Sequence, residues 1–277
     1  MSYPTMEEIV KISKDENVYL VQEVDHIDEP TQQTSLVTNE RVFWSSLSCS
    51  NNERRRTNTS VLHDSSFFYK KKSSRLYFNI RSLPDQSLLK LDGSKVAYQF
   101  VPSMRRAYEP GAIFPLTSAQ QRLFSVYYHH EGGPHHWYII PHRERISVQT
   151  IIDKQNSSIC LDHDRILIDP SVLDKYHIRY HRIIQHPNEF VVLSAGTLAQ
   201  SFSEDASWSE SIEFTLPGWI EDGHANVSVS PYRCNLPQDS LPKSIDLPLF
   251  PHEIIQNYIT SDLNINTSDE SVASKGS

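Results

Sequence analysis

No run of this sequence approaches the ~20 consecutive apolar residues that span a bilayer. The first residues also lack the apolar stretch of a secretory leader, so neither a membrane partner nor secretion is expected. Cysteine is scarce. Cys49, Cys160 and Cys234 are the whole complement, too few for a disulfide framework, and a reducing compartment is the natural setting. A positive charge excess is missing too. The formal net charge is -8, which argues against a chain that as a whole clamps nucleic acid. No internal repeat is visible. The 277 residues, 38% hydrophobic and 22% charged, suit one sizeable globular domain with polar segments attached.

The charge that is present is uneven. Arg54 to Arg56 and Lys70 to Lys72 form two basic clusters. They read as nuclear-import signals or as solvated loops, the loop being the commoner case. Residues 3–11 carry a helix start: Thr5 can cap it, Glu8 completes a capping box, and Glu7 and Glu8 suit the positive end of the dipole. Residues 45–66 are rich in Ser, Asn, Thr and Arg and read as a flexible linker or long loop. Between Phe67 and Arg81 the aromatics, with Phe78 and Ile80 alternating, are strand-like.

From Leu123 onward the pattern is that of an antiparallel β domain. Leu123 to Tyr128 and His136 to Ile140 are strands around the turn Glu131-Gly132-Gly133-Pro134, which predicts a hairpin. Ile146, Val148, Ile151 and Ile152 predict a short helix over 144–154. Asp169 and Pro170 are an N-cap and a first-turn proline. Arg182 to Gln185 and Phe190 to Leu193 flank the turn His186-Pro187-Asn188, a second predicted hairpin. Ser211 to Phe214 is a short strand, residues 251–258 a C-terminal helix, and 262–277 a polar, disordered tail. Strands with a helix between two hairpins fit a mainly β, cupin-like barrel.

Particular residues take this further. Gly132, Pro134, Trp137, Tyr138 and Pro141 resemble the glycine-proline turn and Trp-Tyr pair of JmjC domains, the double-stranded β-helix of the Jumonji histone demethylases. Asp169-Pro170-Ser171-Val172-Leu173 with Ile178, and Gln185 to Val191, resemble that family's "SP-x-x-L" helix and "V-Q-x-P-G-E-F-V" strand. Ser209 to Phe214, followed by Trp219, resembles its "AES-x-N-F" run. Tyr3 to Glu8 resembles the opening of a JmjN segment, and Phe78 to Leu89 with Val101-Pro102 the approach to JmjC. The resemblance is strong over 123–219 and patchy before. It implies a JmjN-like segment over 1–44, a linker over 45–75, a JmjC-like barrel over 76–225, and a C-terminal extension with a short helix over 226–261.

The departures carry the most information. The family binds Fe(II) through His-x-Glu (or Asp) and a distant His, leaving positions open for 2-oxoglutarate and oxygen. Counting back from Trp137 places the first pair at Thr117 and Ala119, and counting on from Phe190 places the distant ligand at Ala199. A register shift of one residue offers Leu116 and Ser118, no better. The family's co-substrate Asn and Lys match Tyr127 and His135, so these mark a vestigial 2-oxoglutarate site. Two other groupings resemble metal sites. His129 and Glu131 form a His-x-Glu on what reads as one strand face, beside His130, His135, His136 and His142, with no third ligand evident. Cys160, His163 and Cys234 partly match a structural zinc site of some family members, but such sites use four ligands.

The resemblance therefore implies a catalytically inactive Jumonji-like protein in the nucleus, with no cofactor expected. Its partners would be histone tails or proteins of chromatin complexes, in transcription regulation. Two alternatives remain at this point. One is an active Fe(II)- and 2-oxoglutarate-dependent histone lysine demethylase with unusual ligands. The other is a diverged β-barrel interaction protein without histone contact. A histone reader should keep an acidic or aromatic groove, which Tyr108, Glu109 and the many tyrosines permit.

Overall fold

The computed structural model describes residues 18–22, 40–48, 58–67, 80–92, 100–155, 159, 161, 166–226, 245 and 251–261. Within them the chain is mainly β. Ten strands form two antiparallel sheets: β1 (Val18–Gln22), β2 (Thr59–His63), β3 (Ser103–Ala107), β4 (Ile113–Ser118), β5 (Phe124–Gly132), β6 (His135–Ile140), β7 (His181–Gln185), β8 (Glu189–Leu193), β9 (Leu198–Ser203) and β10 (Ser207–Phe214). The larger sheet runs β1-β8-β5-β10-β3-β2 and the smaller β4-β9-β6-β7. This is the cupin-like jelly-roll barrel that the strand pattern implied.

The two predicted hairpins are corrected. β5 and β6 follow one another across the Gly132-Gly133-Pro134 turn, but β5 pairs with β8 and β10 while β6 pairs with β7 and β9. β7 and β8 are likewise split between the sheets. Each turn carries the chain from one sheet to the other, which a local turn signal cannot distinguish from a hairpin. The glycines have a steric cause. A Cβ on Gly132, at φ +102°, would run into the Ala206 carbonyl, and one on Gly133 into the Asp205 backbone.

Within 45–75, read as a linker from composition, residues 45–48 continue the helix α1 (Glu40–Ser48), and β2 pairs along its length with β3. Pairing with β3 satisfies the backbone of β2, so a polar sequence can form an edge strand. The expected helix over 3–11, the basic clusters and the tail over 262–277 lie outside the described residues. The helices α2 (Arg145–Gln155), α3 (Pro170–Lys175) and α4 (His252–Ser261) match the sequence signals. Asp169 caps α3, its Oδ1 accepting from Ser171 N at 2.8 Å.

Each sheet buries part of its outer face. Phe124, Val126, Phe190, Ile212 and Phe214 of the larger sheet pack under Ile80, Leu83, Leu88 and Leu89, the α4 residues Ile255 and Tyr258, and Trp219. One end of the smaller sheet packs on α2 through Leu116, Ile140, Leu198, Val148 and Ile152. Beside it, α1 docks through Trp44 on Tyr138 and Phe202. Trp44 Nε1 donates to the Tyr138 hydroxyl at 2.8 Å, and that hydroxyl donates to Glu40 Oε2 at 2.9 Å. Glu40 also pairs with Arg182, and its Oε1 lies 3.0 Å from His136 Nδ1. The other ring nitrogen of His136 lies 2.5 Å from Glu204, and the ring stacks on Phe202. Burial pushes the Tyr138 phenol up to about 12, against the opposing effect of the Trp44 N–H.

Trp219 seals the outer layer of the larger sheet. It is 2% exposed, and its Nε1 donates to the Gln121 carbonyl at 3.0 Å. Trp219→Ala is expected to cost about 3–5 kcal/mol, as large-to-small changes at buried aromatics do. Chemical denaturation of the two proteins measures it, and a loss below about 1 kcal/mol would show that this layer is not packed as described.

Candidate functional site

The inner faces of the two sheets enclose a chamber. From the larger sheet it is lined by Arg105, Tyr127, His129, Val191, Leu193 and Ser209. From the smaller it is lined by Phe114, His135, Trp137, Ile139, Ala199 and Ser201. The apolar part is the cluster of Trp137, Ile139, Val191, Leu193 and Ala199, with Tyr127 and Ile183 against it. Gln185, fully buried, braces the chamber. Its Oε1 accepts from Trp137 Nε1 at 2.9 Å, and its Nε2 donates to the carbonyls of Glu189 at 2.9 Å and Tyr127 at 3.2 Å.

Thr117 and Ala199 are direct partners across the β4–β9 pairing. Opposed residues project from the same sheet face. Ala199 packs in the interior cluster, so Thr117 faces the chamber beside it. A bulge makes this possible. Phe114 opposes Ser201 and Thr117 opposes Ala199, so β4 spends one residue more than β9 over this stretch. Both Phe114 and Thr117 can then face inward. Ala119 departs from this grouping: it packs against the cluster of Leu123, Phe214 and Trp219 beyond the strand end. The structure thus brings Thr117 and Ala199 together and places Ala119 to one side. The three side chains offer one hydroxyl and three methyls.

Tyr127 and His135 both line the chamber. The Tyr127 ring lies 4.8 Å from Trp137. His135 is fully buried, its Nε2 2.7 Å from Ser207 Oγ, its ring stacked on Phe114. Burial pushes His135 well below the ordinary imidazole range, and positive charge on His129, Arg105 and His136 adds to this. The ring is therefore neutral. The chamber's fixed positive charge comes from the opposite wall. The Arg105 guanidinium on β3 sits 4.1 Å over Phe114, 4.7 Å over Tyr127 and 5.7 Å over Trp137. Sequence reasoning missed this residue. Its neighbour Arg106 points the other way, over the surface rings of Tyr108 and Trp208 at 4.7 Å each. Only strand parity separates the two roles.

The His129-x-Glu131 pair is not a metal site. A second bulge opposes Glu131 to Trp208 and His129 to the next residue, Ser209. The expected shared face is overturned: His129 is buried inside and Glu131 is exposed. Both ring nitrogens of His129 also face carbonyls, Nδ1 that of Trp208 at 3.2 Å and Nε2 that of Gly133 at 3.0 Å. Cys160, His163 and Cys234 lie outside the described residues. Among the described residues, no group of three or more His, Cys, Asp or Glu side chains is arranged to hold a metal.

The exposed groups Tyr108 and Glu109 lie at the end of β3. The Tyr108 hydroxyl is 3.0 Å from Ser60 Oγ, and Asn58 donates to Glu109. With Arg106, Trp208 and Phe67 they form an aromatic outer surface; Phe67 meets Trp208 at 5.8 Å.

Residues 108–214 match the family model of the JmjC domain, hydroxylase. The multicopy suppressor of chk1 protein 1 of Schizosaccharomyces pombe is 32% identical over 130 residues, 45% of this chain and 8% of that protein. The probable lysine-specific demethylase 4F of Homo sapiens is 34% identical over 107 residues, 36% of this chain and 17% of the relative. The lysine-specific demethylase 4B of Mus musculus is 30% identical over 131 residues, 45% of this chain and 12% of the relative. The chain thus spans only a minor part of the length of each relative.

Glu213 yields a pH prediction. Burial pushes its carboxyl up to about 7, against the lowering effect of the Gln120 N–H that it accepts at 2.8 Å. A carboxyl with a raised folded pKa binds more protons in the native state than in the unfolded state between pH 4.5 and 7. Stability therefore falls as pH rises through that window. The contribution reaches on the order of 3 kcal/mol. In Glu213→Gln this part of the pH dependence should vanish, so the wild type should lose stability relative to the variant from pH 4.5 to 7. Urea denaturation at several pH values measures it, and parallel profiles for the two proteins would contradict the assignment.

Proposed function

This chain belongs to the Jumonji family through its JmjC domain at residues 108–214, and from that premise we propose that it is a catalytically inactive member. In this reading it is a binding or scaffolding module that acts on chromatin in the nucleus. The observation that carries the reading is the opposed pair Thr117 and Ala199. These positions answer to iron ligands in the resemblance, and a hydroxyl beside a methyl does not suit ferrous iron, which wants imidazole and carboxylate. The residues present do not fit the metal. A guanidinium in the same chamber adds a fixed positive charge that disfavours a second cation. Nor do Tyr127 and a neutral His135 fit the amide and ammonium that would hold 2-oxoglutarate. Two of the relatives are named lysine-specific demethylases, which supports histone tails or chromatin-complex proteins as partners. The aromatic outer surface around Tyr108, Arg106 and Trp208 is a suitable face for such a partner.

The test is to load the full chain with Fe(II) anaerobically, desalt it and measure bound iron. Turnover of 2-oxoglutarate is then assayed with histone-tail peptides, whose binding is also measured in EDTA. Substoichiometric iron, no succinate and peptide binding indifferent to EDTA are expected. Stoichiometric iron with turnover would establish the active-enzyme reading instead, and absence of binding to any histone peptide would remove the chromatin part. Thr117→His with Ala199→His, the pair opposed across β4 and β9, should create weak divalent-metal binding with little or no turnover, and adding Ala119→Glu should not strengthen it, because Ala119 packs outside the chamber. Ligands alone can supply affinity, whereas missing supporting groups cost about 10- to 100-fold. A double variant that binds no metal would show that Thr117 and Ala199 do not face one another inside the barrel.

A further inference from the structure

We propose that α1 is held on the barrel by a proton-dependent latch, the bridge Glu40–His136–Glu204, which is closed while it holds two protons and lets α1 lift from the smaller sheet when one of them leaves. The latch lies on the outer face of that sheet, away from the chamber. It is independent of the histone reading.

Three elements meet at one imidazole. Glu40 opens α1, His136 lies on β6, and Glu204 follows β9 in the turn to β10. Glu40 Oε1 lies 3.0 Å from His136 Nδ1, and Glu204 Oε1 lies 2.5 Å from Nε2. The ring stacks on Phe202, with centroids 4.6 Å and planes 7° apart. That stack fixes the ring plane, so each nitrogen is held against its own carboxyl group. An ionised carboxylate only accepts. Both contacts are therefore hydrogen bonds only when a proton sits in each. This holds whether the ring is an imidazolium between two carboxylates or one carboxyl keeps its own proton. Loss of one proton sets a nitrogen lone pair against a carboxylate oxygen. A nearly buried hydrogen bond then becomes a repulsion.

The other groups around the bridge leave it as the part of this docking site that responds near neutral pH. Arg182 on β7 pairs with Glu40, and a guanidinium keeps its charge throughout. The Tyr138 hydroxyl donates to Glu40 Oε2 at 2.9 Å, and its phenol is pushed up to about 12. His135, on the opposite face of the sheet, is pushed well below the ordinary imidazole range by burial. Asp205, beside Glu204, accepts from Ala206 N at 2.7 Å. With the bridge broken, α1 keeps its aromatic seat and the partly exposed Glu40–Arg182 pair, a weak tie. Imidazole is the side chain that ordinarily changes charge between about pH 5 and 8. Docked α1 thus holds a proton that lifted α1 gives up, and its docking weakens as pH rises.

Hydrogen exchange of the full chain is followed by mass spectrometry from about pH 5.5 to about pH 8.5, with each rate corrected for the intrinsic pH dependence of amide exchange. Protection of α1 should fall about tenfold or more across that range, while β5 and β8, inside the larger sheet, keep theirs. His136→Gln should remove this pH dependence. Glu204→Gln should keep α1 protected at the upper end of the range, because its amide can donate to Nε2 of a neutral ring. Simple loss of a contact would not have that effect. Trp44, 3% exposed on α1, supplies a second readout. Its quenching by acrylamide, referenced to Trp44→Phe, should rise with pH in the wild type and stay flat in Glu204→Gln. Protection of α1 that does not change with pH in the wild type would overturn the proposal. So would a loss that β5 and β8 share, or a pH dependence that survives in folded His136→Gln. Where His136→Gln does not fold, Glu204→Gln decides: a loss of α1 protection equal to that of the wild type overturns the latch.

Discussion

The amide of Gln185 joins the two sheets from inside. It lies on β7 of the smaller sheet, takes the Trp137 indole N–H from the adjacent strand, and donates across the barrel to the carbonyls of Tyr127 and Glu189 on the larger sheet. A buried amide must satisfy both ends, so its position sets the spacing of the sheets and the orientation of Trp137. The rest of the chamber follows from that. Tyr127 packs on Trp137, and Arg105 lies over Tyr127, Trp137 and Phe114. A guanidinium is tolerated here because aromatic faces replace part of its hydration.

Two bulges then decide which side chains the chamber receives. The one in β4 brings both Phe114 and Thr117 inward. The one near His130 separates His129 from Glu131 and leaves the imidazole against two carbonyls. One added residue inverts the parity of everything beyond it on that strand. A His-x-Glu spacing that reads as two ligands on one face is therefore split between the interior and solvent.

On the outside, α1 adds a polar lock to an aromatic seat. Glu40 meets His136, Tyr138 and Arg182 at once, while Trp44 and Phe43 pack on Tyr138 and Phe202. The Trp-Tyr pair of the turn motif thereby serves both faces of one strand. Trp137 points into the chamber, and Tyr138 receives the helix.

Local signals determined much by themselves. Asp169-Pro170 marks a helix start, because a cap and a first-turn proline act within a few residues. The strand runs from Leu123 onward, and the spacing of Trp137, Gln185 and Phe190, identify the barrel and place Thr117 and Ala199 at matching heights. The absence of imidazole or carboxylate at those positions needs only the residue names. Tertiary structure alone decided the rest. The turns cross between sheets because strand partners are chosen by long-range pairing. Ala119 leaves the chamber because the strand ends before it. Arg105 and Arg106, adjacent and identical in kind, part company because pleating sends one into the barrel and the other over Tyr108 and Trp208. A sequence names the cation, but the sheet register decides where its charge is spent.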